Sequence, residues 1–452
     1  MCKVVRRSAR WHCSRLSINH QPSTLFSPML LDFDHHATTP PDPRVLEAML
    51  PYLSDKYGNP SSLSHRRGLA AAAVELASRE QVAGLLGVEP NEIVWTSGAT
   101  EANNLALKGV LAGAMDRRGL VTVATEHRSV LDPARRLGRA GHPVTILPVN
   151  GRGELDLNRL ESAITPETAL VSVMWANNEI GTIAPMGEIA AICRRKEAWL
   201  HSDATQAVGK IPVDLRSVGV DLLSFSAHKI YGPPGIGALV VRRDRGRIPL
   251  MPLIDGGGQQ SGMRSGTLPL ALIVGFAKAL ALCEQECEAT ALRLAGLRDQ
   301  LWSELSQRIP GIVRHGGPER VAFCSATGRS FSENKTTTLG AVLPHNLSVG
   351  IPDLDGDALL VRLQQSDLCV SSGAACSSNN REPSHVLTAL GVPERLARAS
   401  VRFGLGKGIT PAEVSLAAVI LCEIVQELRE RTAGSRFENP TTTSSLDSLE
   451  TS

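Results

Sequence analysis

A lysine and an aspartate each follow an apolar segment that is typical of a buried strand. Lys229 follows the polar run Ser226 to His228, which comes after the apolar segment Val220 to Phe225. Asp203 comes directly after Trp199 to Ser202. Either residue alone is usually a solvated side chain, a helix cap or a turn residue. Together they match pyridoxal phosphate (PLP), which binds a lysine amine as a Schiff base and needs a carboxylate to keep its pyridine nitrogen protonated.

A third segment has the pattern of a phosphate-binding turn. Thr96 to Glu101 lies between the apolar run Ile93 to Trp95 and the helical pattern Ala102 to Leu111, which predicts a strand, a turn and a helix N-terminus. The free backbone N–H groups and the dipole of a helix N-terminus favour a phosphate group. A capping box with Ser97 or Thr100 as its first member explains the same residues equally well when they are taken alone.

One of the nine cysteines differs from the others in its surroundings. Cys193 and Cys422 fall in helical patterns, and no CxxC pair is present, so we expect no zinc site, thioredoxin-type motif or other metal centre. Cys376 instead lies among the small polar residues Ser371 to Asn380, which predict an exposed, mobile loop. Because the thiolate is the reactive form of cysteine, an exposed thiol there is a candidate nucleophile.

Nine short motifs follow one another along the chain in an order that resembles the cysteine desulfurases, PLP enzymes of the class V aminotransferase family. The resemblance runs from about Leu31 to about Leu428, nearly the whole chain apart from its two ends. The motifs are Leu31 to Pro40, Gly58 to Ser62, Ser97 to Glu101, Thr125 to His127, Asn177 to Gly181, Asp203 to Gln206, Ser226 to Lys229, Gly262 to Thr267 and Ser371 to Cys376.

This resemblance implies which residues hold the cofactor. Lys229 is then the Schiff-base lysine, Asp203 the partner of the pyridine nitrogen, and His127 a catalytic residue that stacks on the ring and helps to move protons. Two amide side chains contact the ring oxygen and four residues hold the phosphate. These are Asn178 and Gln206 for the ring, and Ala99, Thr100, Ser226 and His228 for the phosphate. Thr267 reaches the phosphate of the neighbouring subunit, which implies a homodimer.

The resemblance also implies a reaction on free L-cysteine. Arg402 matches the arginine that binds the substrate carboxylate, and Asn178 belongs to the same substrate site. Lys229 then moves the proton of the α carbon, and the Cys376 thiolate takes the sulfur as a persulfide while alanine leaves. The expected function is that of a cysteine desulfurase, which passes its sulfur to an acceptor protein.

The residues after Cys376 indicate a subgroup. Their long run to Glu382-Pro383-Ser384-His385 resembles the long-loop group, typified by the housekeeping enzymes of iron–sulfur cluster assembly. Candidate acceptors are an iron–sulfur scaffold protein, a tRNA-thiolation relay and a general sulfur pool. The C-terminal segment with which those enzymes dock the scaffold protein has no match in this chain.

Short apolar runs alternate with helical patterns from Arg44 to about Gly275, which predicts a three-layer α/β domain with a mainly parallel sheet. Seven runs are predicted strands: Ile93 to Trp95, Leu120 to Ala124, Val144 to Val149, Ala169 to Met174, Trp199 to Ser202, Leu222 to Phe225 and Ala238 to Val241. A helix near Ile273 to Leu305 leads to a smaller α/β domain that ends in a helix from Pro411 to Arg429. The resemblance implies fold type I of the PLP-dependent transferases, in which ligands lie at strand ends.

We expect four parts in the chain. Residues 38–285 form the large PLP-binding domain, and residues 30–37 with 286–433 form the small domain that carries Cys376. Residues 1–29 are a disordered or non-native extension, and residues 434–452 are a disordered tail. The polar residues 318–340 are an insertion in a surface loop.

The composition is that of a globular enzyme. The 452 residues are 42% hydrophobic and 20% charged, and the net charge of +2 gives no reason to expect binding to nucleic acid or a membrane surface. No apolar run has the length of a transmembrane helix. Residues 1–29 contain five basic and no acidic residues, which fits a mitochondrial transit peptide or an untranslated stretch joined upstream of Met29. Their irregular composition favours the second, and with it a cytoplasmic location.

Two other functions stay open at this point. Another class V PLP enzyme, such as a selenocysteine lyase or an aminotransferase, has the same cofactor site but less need of Cys376. A sulfur carrier or scaffold subunit with a decayed active site is the other, and the complete set of cofactor and substrate residues opposes it.

Overall fold

The seven predicted strands form one sheet in the computed structural model, whose described residues are 30–114, 116–317, 341–372 and 382–437. Cys376, the N-terminal extension, the insertion at 318–340 and residues 438–452 lie outside these ranges. The predictions made for them therefore stay predictions.

Eleven helices occur in the described ranges. They are α1 (Pro43–Leu53), α2 (Arg66–Leu86), α3 (Ala99–Gly113), α4 (Arg128–Arg139), α5 (Leu157–Ala163), α6 (Met186–Arg195), α7 (Leu270–Arg308), α8 (Gly356–Gln364), α9 (His385–Ala389), α10 (Glu394–Arg398) and α11 (Pro411–Phe437). Single turns of 3₁₀ helix lie at Pro90–Glu92, Ala227–Lys229 and Gln260–Gly262.

The same part of the chain contains thirteen strands. They are β1 (Leu31–Asp32), β2 (Ile93–Thr96), β3 (Gly119–Val123), β4 (Val144–Leu147), β5 (Thr168–Ser172), β6 (Trp199–Asp203), β7 (Leu222–Ser226), β8 (Gly237–Val241), β9 (Val313–Arg314), β10 (Asn346–Gly350), β11 (Leu368–Cys369), β12 (Ser371–Ser372) and β13 (Ser400–Gly404).

The large sheet has the strand order β2-β8-β7-β6-β5-β3-β4. The five strands from β7 to β4 in that order are parallel, and β8 is antiparallel to both of its neighbours. Most of these strands are buried along their whole length, because helices pack on both faces of the sheet. A strand covered on both faces needs apolar side chains in both directions, which explains why these sequences are continuous apolar runs. The prediction of a mainly parallel sheet is confirmed.

Each face of this sheet has its own hydrophobic core. Trp95 and Phe225 belong to one core, which includes residues of α2, α6 and α7. Val94 and Leu222 belong to the other core, which includes residues of α3 and α4. Because successive strand residues point to opposite faces, the sheet lies between two helical layers. The three-layer architecture is therefore confirmed.

A smaller antiparallel sheet, in the order β12-β13-β10-β9, forms a second α/β unit with α8, α11 and the C-terminal half of α7. The beginning of the described chain joins this unit, since β1 pairs with β11 and the Phe33 ring packs edge-on against Phe403 at 5.9 Å. The separate core agrees with the expected small domain, whose boundaries stay a prediction.

The two long helices of the C-terminal half differ in length from the predicted helices. The long helix α7 begins at Leu270 and ends at Arg308, close to the predicted range. Helix α11 continues to Phe437 instead of ending at Arg429, so that residues 434–437, assigned to the tail from the sequence, are helical. No helix in the described ranges has the length and hydropathy needed to cross a membrane.

A close backbone contact holds the predicted phosphate turn against the sheet. Gly237, the first residue of β8, lies beside the backbone of Gly98 in that turn and beside the carbonyl oxygen of Phe225 in β7. A Cβ atom built on Gly237 would lie 2.7 Å from these backbone atoms, which is closer than real Cβ contacts allow. Only glycine lets the turn approach the sheet so closely.

Gly237→Ala is expected to lower the free energy of unfolding by about 1–3 kcal/mol, because rigid backbone has to move away from the new methyl group. The control is Gly84→Ala in the last turn of α2, where nothing lies within 4 Å of the added Cβ. That control should raise the stability by up to about 1 kcal/mol, since alanine favours helix. Urea unfolding measures both, and a Gly237→Ala variant as stable as the parent chain would contradict the close-contact argument.

Candidate active site

A cavity of about 650 Å³ lies at the carboxyl ends of the parallel strands, and residues of the small sheet form part of its wall. Its walls contain ten of the predicted site residues: Ala99, Thr100, His127, Asn178, Asp203, Gln206, Ser226, His228, Lys229 and Arg402. Thr267 is exposed outside this cavity. Cys376 lies outside the described residues, although Ser372 and Ser384, on either side of its segment, are part of the cavity wall.

Lys229 lies in the 3₁₀ turn that follows β7. Its Nζ donates hydrogen bonds to the carbonyl oxygens of His36 at 2.5 Å and Ala37 at 2.7 Å. Burial, and after it the positive charge of Arg402, lowers the pKa of Lys229 to about 8. The amine is therefore closer to its neutral, nucleophilic form at physiological pH than an exposed lysine is.

Asp203 is the last residue of β6 and is buried. Its Oδ1 accepts the backbone N–H of Thr205 at 3.0 Å, and its Oδ2 accepts the Nδ2 of Asn103 at 2.7 Å. The carboxylate is thus fixed by donors on both oxygens and forms part of the cavity wall. A buried carboxylate in this position can pair with a protonated ring nitrogen.

His127 is the N-cap residue of α4, and its Nδ1 accepts the backbone N–H of Ser129 at 3.1 Å. The hydroxyl of Ser129 lies 2.7 Å from the same nitrogen. Burial lowers the pKa of His127, so that the ring is neutral near pH 7. A neutral ring in the cavity wall is suited to stacking on an aromatic ligand.

The N-terminus of α3 has the features of a phosphate site. The N-cap is Gly98, and no side chain caps this helix end. The alternative of a capping box with Ser97 or Thr100 as the cap is therefore wrong. Glu101 instead accepts the backbone N–H of Ser97 at 2.7 Å and the Nε of Arg264 at 2.8 Å. The backbone N–H groups of the first helical turn are left for a ligand.

The side chains expected near the phosphate lie in the same part of the cavity. Ser226 ends β7, and its hydroxyl reaches the carbonyl oxygen of Ile236 at 3.4 Å. His228 contacts the hydroxyl of Thr38 through Nδ1 at 3.1 Å. Burial, helped by the charges of two neighbouring lysines, lowers the pKa of His228 to about 4, so that it offers a hydrogen bond and no charge.

Arg402 comes from the small sheet and points into the cavity. Its Nη1 donates to the carbonyl oxygen of Asn178 at 2.9 Å, and its Nη2 donates to Asp34 Oδ1 at 2.9 Å and Ser371 Oγ at 2.6 Å. Its Nε is buried and has no hydrogen-bond partner among the described residues. A partly buried guanidinium in the cavity wall is suited to a ligand carboxylate.

Four residues of the site were missed by the sequence analysis: Asp34, His36, Asn103 and Lys210. Lys210 is partly buried, lies four residues after Gln206 in a run of turns and donates to its Oε1, while Gln206 Nε2 donates to the carbonyl oxygen of His36 at 3.1 Å. Asp34 and His36 lie inside a motif that the sequence analysis quoted as a unit. Lys210 lies in turns between β6 and β7 and has no local sequence pattern that could have identified it.

The donor set fits PLP. The Lys229 amine, whose pKa is lowered, suits its aldehyde, and the buried Asp203 carboxylate suits its ring nitrogen. The neutral imidazole of His127 suits the ring face, and the uncapped N-terminus of α3 suits the phosphate. The cavity and the α/β fold with ligand groups at strand ends therefore define a PLP-dependent enzyme.

Comparisons with known proteins narrow this class. A family model described as Aminotransferase class-V matches residues 32–339, more than half of the chain. The cysteine desulfurase of Mus musculus is 42% identical over 93% of this chain and 86% of its own length. Cysteine desulfurase IscS of Rickettsia conorii is 42% identical over 91% of this chain and 95% of its own. A solved NifS-like protein superposes with a TM-score of 0.78 and 37% identity, over 88% of this chain and all of that one.

The chain belongs to the class-V aminotransferase family and, within it, to the cysteine desulfurases. The resemblance stated from the motifs, the fold type I architecture and the PLP cofactor are thereby confirmed. The particular roles of the site residues stay predictions.

The reaction of the cofactor-free protein with PLP is expected to accelerate with rising pH, with a midpoint near pH 8, the pKa of Lys229. Arg402→Ala should move this midpoint upward, because Arg402 lowers this pKa whereas Asp34 and Asp203, which remain, raise it. Stopped-flow absorbance of the lysine-bound cofactor measures the midpoint.

The exposed Arg395 on α10 provides the control, since Arg395→Ala removes the same charge from a position outside the cavity. It should leave the midpoint unchanged. A downward shift in Arg402→Ala, or equal shifts in both variants, would contradict this account of the Lys229 amine.

Proposed function

We propose that this enzyme converts L-cysteine to L-alanine and retains the sulfur as a persulfide on Cys376. The Cβ–S bond of the substrate breaks and an S–S bond to the Cys376 sulfur forms, while the proton lost by the thiol groups goes to the alanine methyl group. The observation that carries the proposal is the convergence of Lys229, Asp203 and Arg402 on one cavity whose wall also contains Ser372 and Ser384, on either side of the Cys376 segment.

When bound, PLP supplies the electron sink that allows the Cα–H and Cβ–S bonds to break. We infer that Ala99, Thr100, Ser226 and His228 hold its phosphate and that Asn178 and Gln206 contact its ring oxygen. Asp203, held by Thr205 and Asn103, keeps the ring nitrogen protonated. His127 covers one ring face.

Lys229 is the group that moves the α proton. Its pKa near 8 allows the amine to accept a proton in one step and return it in the next at physiological pH. The carbonyl oxygens of His36 and Ala37 hold its Nζ in place. Burial excludes water, which would otherwise compete for the proton.

Arg402 orients the substrate through its carboxylate. Its contacts to Asp34, Ser371 and Asn178 hold the guanidinium in the cavity wall, where its positive charge can receive the carboxylate. An amino acid bound in this way presents its amine to the Lys229 side of the cavity, and Asn178 adds the second substrate contact.

We propose that the enzyme acts as a homodimer in which Thr267 reaches the phosphate in the partner's site. Thr267 is exposed and lies outside the cavity of its own chain. The helices α1 and α2 and the connection between them expose seven large apolar side chains, which suits a subunit interface. They are Leu46, Leu50, Leu53, Tyr57, Leu63, Leu69 and Leu76.

The sulfur acceptor is a protein of iron–sulfur cluster assembly or of tRNA thiolation. Both need persulfide sulfur, and neither requires the enzyme to contact nucleic acid directly. The cytoplasm is the expected compartment, and the mitochondrion becomes the compartment if residues 1–29 are a transit peptide.

Cys376→Ala is expected to abolish sulfide release from L-cysteine in the presence of PLP and a reductant, because no other thiol receives the sulfur. Cys369→Ala is the control, since Cys369 lies near the same segment and burial raises the pKa of its thiol. It should retain at least half of the parent rate. Alanine and sulfide are measured together and should appear in equal amounts.

Full activity in Cys376→Ala would refute the persulfide step. If selenide is released from selenocysteine by both the parent chain and Cys376→Ala, while L-cysteine yields no alanine in either, the enzyme is instead a selenocysteine lyase. Transamination products without sulfide would indicate an aminotransferase.

Mixing the inactive variants Lys229→Ala and Thr267→Ala tests the shared site. If Thr267 acts in the partner's cavity, each hybrid dimer regains one complete site, and PLP binding and sulfide release recover to at most half of the parent level per dimer. If Thr267 acts in its own chain, neither site of the hybrid is complete. No recovery after subunit exchange, checked by light scattering, would refute the shared site.

A further inference from the structure

A fully buried asparagine links the two proposed ring-binding residues, His127 and Asp203. Asn103 lies in the first turns of α3, and its side chain is 0% exposed. Its Nδ2 donates to Asp203 Oδ2 at 2.7 Å and to Ser129 Oγ at 2.8 Å. Because a carboxylate oxygen only accepts hydrogen bonds, the amide can face Asp203 only through its NH₂ group. Both N–H donors of Asn103 are thus used within the site.

The hydroxyl of Ser129 connects Asn103 to His127. Its oxygen accepts a hydrogen bond from Asn103 Nδ2, so that its own O–H is available to donate to His127 Nδ1 at 2.7 Å. The backbone N–H of Ser129 lies 3.1 Å from the same nitrogen and can only donate. Nδ1 therefore carries no proton, and the neutral ring carries its proton on Nε2.

The charged groups around His127 do not reverse this assignment. Burial is the largest influence on its pKa and lowers it. Lys229 and His385 lower it further, while Asp203 and Glu179 raise it. A proton added to Nδ1 would also face the backbone N–H of Ser129, which cannot turn away.

We propose that Asn103 and Ser129 are positioning residues that hold His127 as its Nε2–H tautomer and Asp203 in the orientation needed by the ring nitrogen of PLP. This inference rests on the proposed function of the site. It narrows the role of His127, since a ring with a proton on Nε2 and donors on Nδ1 acts as a hydrogen-bond donor and stacking partner and has no free basic nitrogen.

The direct test is NMR of the full chain labelled with ¹⁵N-histidine, recorded with and without PLP. The signal that is missing from the spectrum of His127→Gln is assigned to His127. The parent chain should show the Nε2–H tautomer. In Ser129→Ala and in Asn103→Ala the pKa of His127 should rise, because a donor to Nδ1 is lost or weakened. The double variant should shift it no further than the larger of the single changes.

Asn104→Ala is the matched control. Asn104 is the next residue on α3 and is partly exposed, and its Nδ2 donates only to the carbonyl oxygen of Thr100 at 2.9 Å. The His127 signal should be the same as in the parent chain. An Nδ1–H tautomer in the parent chain, or a His127 pKa that is unchanged in both Ser129→Ala and Asn103→Ala, would overturn the proposal.

A second measurement tests the hydrogen bond from Asn103 to Asp203. Asn103→Ala is expected to raise the dissociation constant of PLP about fivefold, the effect of losing one net hydrogen bond, whereas Ser129→Ala should leave it within about twofold. An equal loss of PLP affinity in Asn103→Ala and Ser129→Ala would contradict the separate roles of the hydrogen bonds to Asp203 and to His127. The NMR measurement of the tautomer does not depend on catalytic turnover. If the chain shows the Nε2–H form but releases no sulfide, the proposed function is refuted and the tautomer proposal is not.

Discussion

The adjacent carboxyl ends of β6 and β7 determine the geometry on which the rest of the site depends. These strands are parallel, and Asp203 pairs with Ser224 across them. The turn that follows β7 therefore brings Lys229 to the same edge of the sheet as the Asp203 carboxylate. Helix α3, whose N-terminus is uncapped, packs on these strands and adds the phosphate position. Amine, carboxylate and phosphate site thus have a spacing that a single rigid sheet maintains.

Burial gives this edge its chemistry. Removal of water from Lys229 disfavours its ammonium form, and the positive charge of Arg402 disfavours that form further. The imidazoles of His127 and His228 are kept neutral by the same desolvation. The cavity therefore contains one amine near its neutral form, two uncharged rings and a carboxylate held by donors on both oxygens. This combination allows proton movement without unpaired buried charge.

The small sheet completes the site from the opposite side. Arg402 on β13 reaches Asp34 from the beginning of the described chain and the backbone of Asn178 from the large unit. The position of the Arg402 guanidinium thus depends on how the two units pack. Helix α7 supplies residues to both hydrophobic cores, which couples their relative position to a single rigid element.

The sequence by itself determined the seven strands of the large sheet, the long helix α7, the PLP cofactor and the family. Strands covered on both faces have an apolar composition that is visible locally, and the motif residues carry their own chemistry. Only the tertiary structure decided that Asn103 joins His127 to Asp203 and that Asp34 holds Arg402. These contacts join segments up to hundreds of residues apart, and a buried asparagine or aspartate has no local pattern that names its partner.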